Sequence, residues 1–194
     1  MILDRAVDFA HLLVSKLALQ GRQAVDATAG NGHDTLFLAK QVGSKGKVFA
    51  FDIQEKALQT TAEKLRAEKV SISNNVELIE SGHENMDKYI EGEVEVIMFN
   101  LGYLPGGDRS IITRPETTLQ AVKQALSLLE VGGLITLVCY PGHPGGEQER
   151  DTVREMVEGL SSKSFQVIHY EFINQANSPP ELFAVEKISE CREL

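Results

Sequence analysis

Residues 25–40 read VDATAGNGHDTLFLAK: the end of an apolar run, two glycines within three positions, then apolar residues at helical spacing. That order predicts a strand, a tight bend over Ala29–Gly32, and a helix entered straight from the bend. Glycine has no Cβ, so the backbone at such a bend can lie close against a ligand. The first N–H groups of the helix then face it unpaired.

The flanks repeat the alternation. Upstream, Leu3, Val7, Ala10, Val14 and Leu17 predict a helix that Gly21 ends, and RQAVDAT predicts the first strand. Downstream, strands are expected at GKVFAFDI, NVELIE, EVEVIMFN and GGLITLVCY. Helices are expected at EKALQTTAEKLRAEKV, with Ala57, Leu58, Ala62 and Leu65 inward, at RPETTLQAVKQALSLLE, and at GGEQERDTVREMVEGL. Two last strands, FQVIHYEFI and ELFAVEKI, are joined by NQANSPP with no helix between, so they should pair antiparallel at one edge. Strands alternating with helices, the central ones apolar on both faces, predict an α/β fold: a mostly parallel seven-stranded sheet covered on both sides. No linker or repeat interrupts the 194 residues, so one domain over 1–194 is expected.

Composition narrows the function. A net charge of −9 excludes a general nucleic-acid coat but permits a local basic patch. No apolar run reaches the roughly 20 residues of a membrane span, the N-terminus does not read as a signal peptide, and Cys139 and Cys191 are too few for a disulfide framework. A soluble cytoplasmic protein is expected. His11, His33, His83, His143 and His169 show no paired metal-ligand spacing, so no metal is expected.

In a parallel sheet of this kind ligands sit beyond the carboxyl ends of the strands, where strand order reverses. The acid ending the second strand, Asp52, lies twenty positions after Gly32, where a carboxylate can accept hydrogen bonds from both ribose hydroxyls of an adenosine. A dinucleotide loop wants a third glycine three positions after the second, and Thr35 stands there. Asp26, beside the bend, suits the cationic amino-acid end of S-adenosylmethionine; capping the bend's own N–H groups is the other role open to it. A methyl donor therefore fits better than a nicotinamide, though a nicotinamide oxidoreductase stays open.

DATAGNGHDT, FDIQ, NLGYLPGGD and YPGHPGGEQE together resemble the class I S-adenosylmethionine-dependent methyltransferases, and more closely the small bacterial rRNA methylase family. The likeness runs over essentially the whole chain and implies a Rossmann-like methyltransferase fold. It also implies an N-methyltransferase acting on the 5-aminomethyl amine of 5-aminomethyl-2-thiouridine at the tRNA wobble position, with tRNA as partner. Carried over by position, Gly30, Asn31 and Gly32 line the methionine end, Asp52 the ribose, Gln54 the adenosine, and His83 the adenine. Helix capping remains open for His83, and turn formation for Asn31.

Asn100 ends the fourth strand, where its carbonyl can hold an amine with its lone pair in line with the S–CH3 bond; Tyr103 can stack on a base. A turn residue and a half-buried core aromatic are the bland alternatives. An alkylamine is largely protonated near neutrality, so a proton acceptor or desolvation is needed; His143 and His33, the latter on the bend beside the cofactor, are the candidates, with loop structure or substrate contact as the other roles open to each. PGGDRSIITR and GHPGGEQER are expected to form a mobile rim, with Arg109, Arg114 and Arg150 available to RNA phosphates or to neighbouring carboxylates. Beside the nicotinamide oxidoreductase, three rivals remain: an rRNA methyltransferase, a small-molecule N-methyltransferase, and a cofactor-binding sensor without activity. An apolar patch on the first helix would suit a homodimer.

Overall fold

The computed structural model describes residues 2–70, 75–104, 106 and 111–190. Five strands, β1 (Gln23–Asp26), β2 (Lys47–Asp52), β3 (Val76–Glu80), β4 (Val94–Asn100) and β5 (Leu129–Cys139), run parallel. The last two, β6 (Phe165–Tyr170) and β7 (Glu181–Lys187), complete a seven-stranded sheet in the order β3-β2-β1-β4-β5-β7-β6. The expected antiparallel pairing of β6 with β7 is present, but β7 also pairs antiparallel with β5, so it lies inside the sheet and β6 forms the edge. Burial explains the placement: Leu182, Phe183, Ala184 and Val185 are all buried, whereas Gln166, Ile168 and His169 of β6 are exposed.

Side-chain alternation sorts the core into two layers. Ile97 and Phe99 of β4 face α4 (Pro115–Leu128) and α5 (Gly146–Glu158), meeting Ala121, Val122, Ala125, Val153 and Val157. The intervening Val96 and Met98 face α1 (Ala6–Val14), α2 (His33–Val42) and α3 (Glu55–Ala67), meeting Ala10, Val14, Leu38 and Leu65. A period of two on a sheet covered from both sides produces this division. Pro115 occupies the first turn of α4, as its missing N–H allows.

The first helix is shorter than its apolar spacing predicts. Arg5 is extended at its N-cap, so Leu3 precedes the helix and stands exposed, and Gly21 serves a later turn whose N–H donates to the Val42 carbonyl. α1 is held to the β6 edge by the Phe9–Tyr170 stack and by the Tyr170 hydroxyl donating to the Asp4 carbonyl at 2.7 Å.

The reversal between β1 and β4 opens a crevice at their carboxyl ends. The bend after β1 is built for close approach: Gly32 has φ +74°, and a Cβ there would come 2.9 Å from the Thr61 Cα. That glycine serves the packing of the bend against α3. At the next position of the glycine pattern, Thr35 donates its hydroxyl to Asp26 at 2.6 Å, so the third glycine of a dinucleotide loop is replaced by a tie to β1.

Candidate functional site

The crevice has a volume of about 1640 Å3 and is lined by residues from the ends of β1, β2, β3 and β4 and by one face of α1. Of the residues expected there, Gly30, Asn31, His33, Asp52, Gln54, His83, Asn100 and Tyr103 line it.

Asp52 faces the bend. Its two oxygens accept the Gly30 and Gln54 N–H groups, each at 2.9 Å, so the acid both holds the loop and presents its remaining lone pairs to the crevice. Burial pushes its carboxyl above the usual range, partly offset by those N–H bonds. His83 opens a short 3-10 helix, His83–Lys88, and is buried edge-on to Phe99, with Nδ1 3.2 Å from the Ala27 carbonyl. That contact makes Nδ1 the donor, and burial lowers the pKa of the ring, which favours a neutral imidazole.

Three expected residues stand elsewhere. Asp26 is fully buried beneath the bend and does not line the crevice: its oxygens accept the Thr28 N–H at 3.1 Å and the Thr35 hydroxyl. The capping role is the one its geometry supports. Gly32 is likewise turned to Thr61 rather than to the crevice. His143 lies in a separate shallow recess with Pro141 and Asn177, edge-on to Tyr103 at 5.8 Å between ring centroids. It does not itself line the β1–β4 crevice, and its Nε2 lies against Gly102, which does. His33 does line the crevice, but its ring nitrogens lie 2.9 and 3.0 Å from the Lys64 ammonium, a cation that disfavours taking up a proton there. Burial first, then Lys64, lowers its pKa.

Asp26 carries a pH signature. Burial, followed by the nearby Asp34 charge, pushes its carboxyl up to about 7. An unfolded aspartate titrates near 3.9, so across that interval the folded chain holds the extra proton and stability falls as pH rises through the folded value. Asp26→Asn removes this titration. Thermal melts of both proteins at acidic and mildly alkaline pH should show the wild type losing more stability on alkalinisation than the variant; equal losses would refute the assignment.

Sequence reasoning missed the polar floor of the crevice. Asn100 donates its backbone N–H to the Thr28 hydroxyl at 2.7 Å and its side-chain Nδ2–H to Asp34, while its Oδ1 faces the Tyr140 hydroxyl at 3.4 Å. The second Asp34 oxygen lies 2.6 Å from His11 Nε2. Asp34 stands inside the glycine bend motif, and His11 follows Val7 by one helical turn on the inward face of α1. In the sequence Asp34 stands at the start of the helix after the bend, and His11 is weighed only as a metal ligand.

The segment after β4 is braced from behind. Gly102 N–H donates to the Thr113 hydroxyl, which donates to buried Glu149; Thr118 also donates to Glu149. Burial raises the Glu149 pKa, opposed by the two threonine bonds. Arg109 and part of the expected rim lie outside the described residues. Arg114 lines the crevice and is exposed. Arg150 does not stand ready for phosphate: it pairs with Asp151 and Glu181. Among the described residues, His169, Glu171 and Glu181 bring potential ligand atoms within 4.8 Å on the β6–β7 edge, and Arg154 shares both carboxylates. No helix among the described residues is long and apolar enough to cross a membrane.

The family model described as "Putative rRNA methylase" matches residues 48–186. The chloroplastic tRNA (mnm(5)s(2)U34)-methyltransferase of Arabidopsis thaliana is 37% identical over 191 residues, covering 94% of this chain and 70% of the plant protein. A putative rRNA-methylase structure from Clostridium thermocellum is 48% identical with a TM-score of 0.92, covering 96% of this chain and 99% of that one. A putative methyltransferase from Streptococcus mutans, solved in complex with SAH, is 40% identical with a TM-score of 0.87, covering 95% and 99% of the two chains.

Proposed function

The chain belongs to the rRNA methylase family, and from that membership we propose that it methylates the 5-aminomethyl nitrogen of 5-aminomethyl-2-thiouridine at the tRNA wobble position. It is an S-adenosylmethionine-dependent methyltransferase, read as one domain over residues 1–194. The observation that carries the acceptor is the plant tRNA methyltransferase, similar over 94% of the chain. The crevice supports the donor: a glycine bend whose Gly30 N–H is fixed by Asp52, with a neutral His83 on the adenine side.

The donor is a sulfonium and carries its own electrophile, so the protein's task is to place and desolvate the acceptor. Asp52 takes the ribose hydroxyls. Gly30 and Asn31 bound the methionine end. Asn100 Oδ1 accepts an N–H of the acceptor amine, which turns the nitrogen lone pair toward the methyl carbon, and Tyr103, half-exposed at the mouth, stacks on the base. The amine nitrogen then forms its bond to the methyl carbon as the S–CH3 bond breaks, and the electron pair returns to sulfur as SAH.

Purified protein with the methyl donor and tRNA from a strain lacking this methylation provides the test. Nucleoside mass spectrometry should show 5-aminomethyl-2-thiouridine converted to its N-methyl product. Unchanged tRNA, with rRNA or a small amine taking the methyl instead, would overturn the acceptor assignment.

A further inference from the structure

The acceptor arrives as an ammonium ion and must lose a proton before it can attack. We propose that Asp34, held by His11, receives that proton; the inference rests on the tRNA amine reading above.

Asp34 is 5% exposed, yet it lines the crevice. Its oxygens meet His11 Nε2 at 2.6 Å and the Asn100 amide, and among the described residues no lysine or arginine pairs with it. A buried carboxylate served only by an imidazole and an amide has room, electrostatically, for a cation from outside. The Asn100 bond puts it one hydrogen bond from the group that orients the acceptor nitrogen. The nucleoside side of the crevice is marked by Asp52 and His83. Asp34 and His11 line the same crevice as that pair, His11 from α1.

A carboxylate is a weak base for an alkylammonium in water. In a crevice emptied of water the balance changes, because desolvation penalises the ammonium and the carboxylate together and favours the neutral pair. One N–H bond of the ammonium breaks and one O–H bond forms on Asp34. The neutral amine attacks, SAH and a methylated ammonium result, and the proton on Asp34 passes to solvent when product leaves. His11 is a positioning residue: its ring stacks flat on Phe37 at 4.0 Å and so aims Nε2 at the carboxylate.

The test uses the full chain with Asp34→Asn and His11→Ala, SAH titration calorimetry, and steady-state kinetics on tRNA lacking the methylation. Asp34→Asn should lower kcat by roughly 100-fold or more, the scale of a lost general base, with SAH affinity within about threefold. His11→Ala should lower kcat about tenfold, the scale of one hydrogen bond to a charged group, with KM for tRNA nearly unchanged. His11→Gln, which restores an N–H donor, should recover part of that loss. Lost SAH binding in folded Asp34→Asn would assign the carboxylate to the donor's ammonium and overturn the proposal. So would a kcat above a tenth of wild type, or an undiminished His11→Ala, which also decides the matter should Asp34→Asn fail to fold. Wild-type protein inert on tRNA would instead remove the acceptor reading, and this proposal with it.

Discussion

Asn100→Ala is expected to lower methyl transfer to tRNA about 100-fold while SAH affinity stays within about threefold, the magnitude of losing orientation at the reacting atom rather than binding. The separation follows from how the residue is anchored. Its backbone N–H donates to the Thr28 hydroxyl, and β4 pairs with both β1 and β5, so truncating the side chain leaves the strand end in place. What disappears is the amide: Oδ1, which aims the acceptor nitrogen, and Nδ2–H, which ties Asp34. Asn100→Asp should be no rescue. It would set a second carboxylate against Asp34, and two acids sharing a buried site cannot both ionise. An amide suits this neighbourhood, because it offers a donor to Asp34 and an acceptor to the amine at once. Single-turnover rates with saturating donor, beside SAH calorimetry on the same preparations, measure the two effects separately. Retained transfer by Asn100→Ala, or a parallel collapse of SAH binding, would refute the assigned role.

The sheet was legible because its strands announce themselves on both faces. Ile97 and Phe99 answer to one helix layer and Val96 and Met98 to the other, so a continuous apolar run was the expected signature. The position of β7 between β5 and β6 was not legible: the pattern ELFAVEKI declares burial, but nothing local says which neighbours supply it. At the site the same division holds. Gly30 and Asp52 are separated along the chain by a fixed helix-and-strand unit, so their meeting follows from spacing. The His11–Asp34 contact joins α1 to the bend across tertiary space, and no periodicity encodes it. Asp26 misled for a related reason. An acid next to a glycine bend looks the same in sequence whether it faces a ligand or the turn, and only its complete burial separates the two. His143 misled because a loop at the end of β5 can turn toward either side of the segment after β4; it turned behind Tyr103.

Asp52→Ala should weaken SAH binding about 100-fold, the product of two hydrogen bonds to a charged acceptor at roughly tenfold each. The argument begins with the bend rather than the ribose. Gly30 has φ +52°, a left-handed conformation that leaves its N–H pointing out of the turn, and Asp52 accepts that N–H from the end of β2. Removing the carboxylate frees the Gly30 and Gln54 N–H groups together, so the loop loses its brace as the ribose loses its acceptor. A thermal melt of the unliganded variant reads the first loss and calorimetry with SAH the second. Asp52→Asn distinguishes them: its single carbonyl can satisfy one N–H group but not hold both ribose hydroxyls as an anion does, so stability should recover more than affinity. The raised pKa of this carboxyl adds a pH dependence with a definite sign. Its anion is the binding form, so SAH affinity should be complete above the raised value and fall as pH drops through it, at a higher pH than an exposed aspartate would give. In Asp52→Asn that acid limb should be absent, and its persistence would mean that another group carries the ribose.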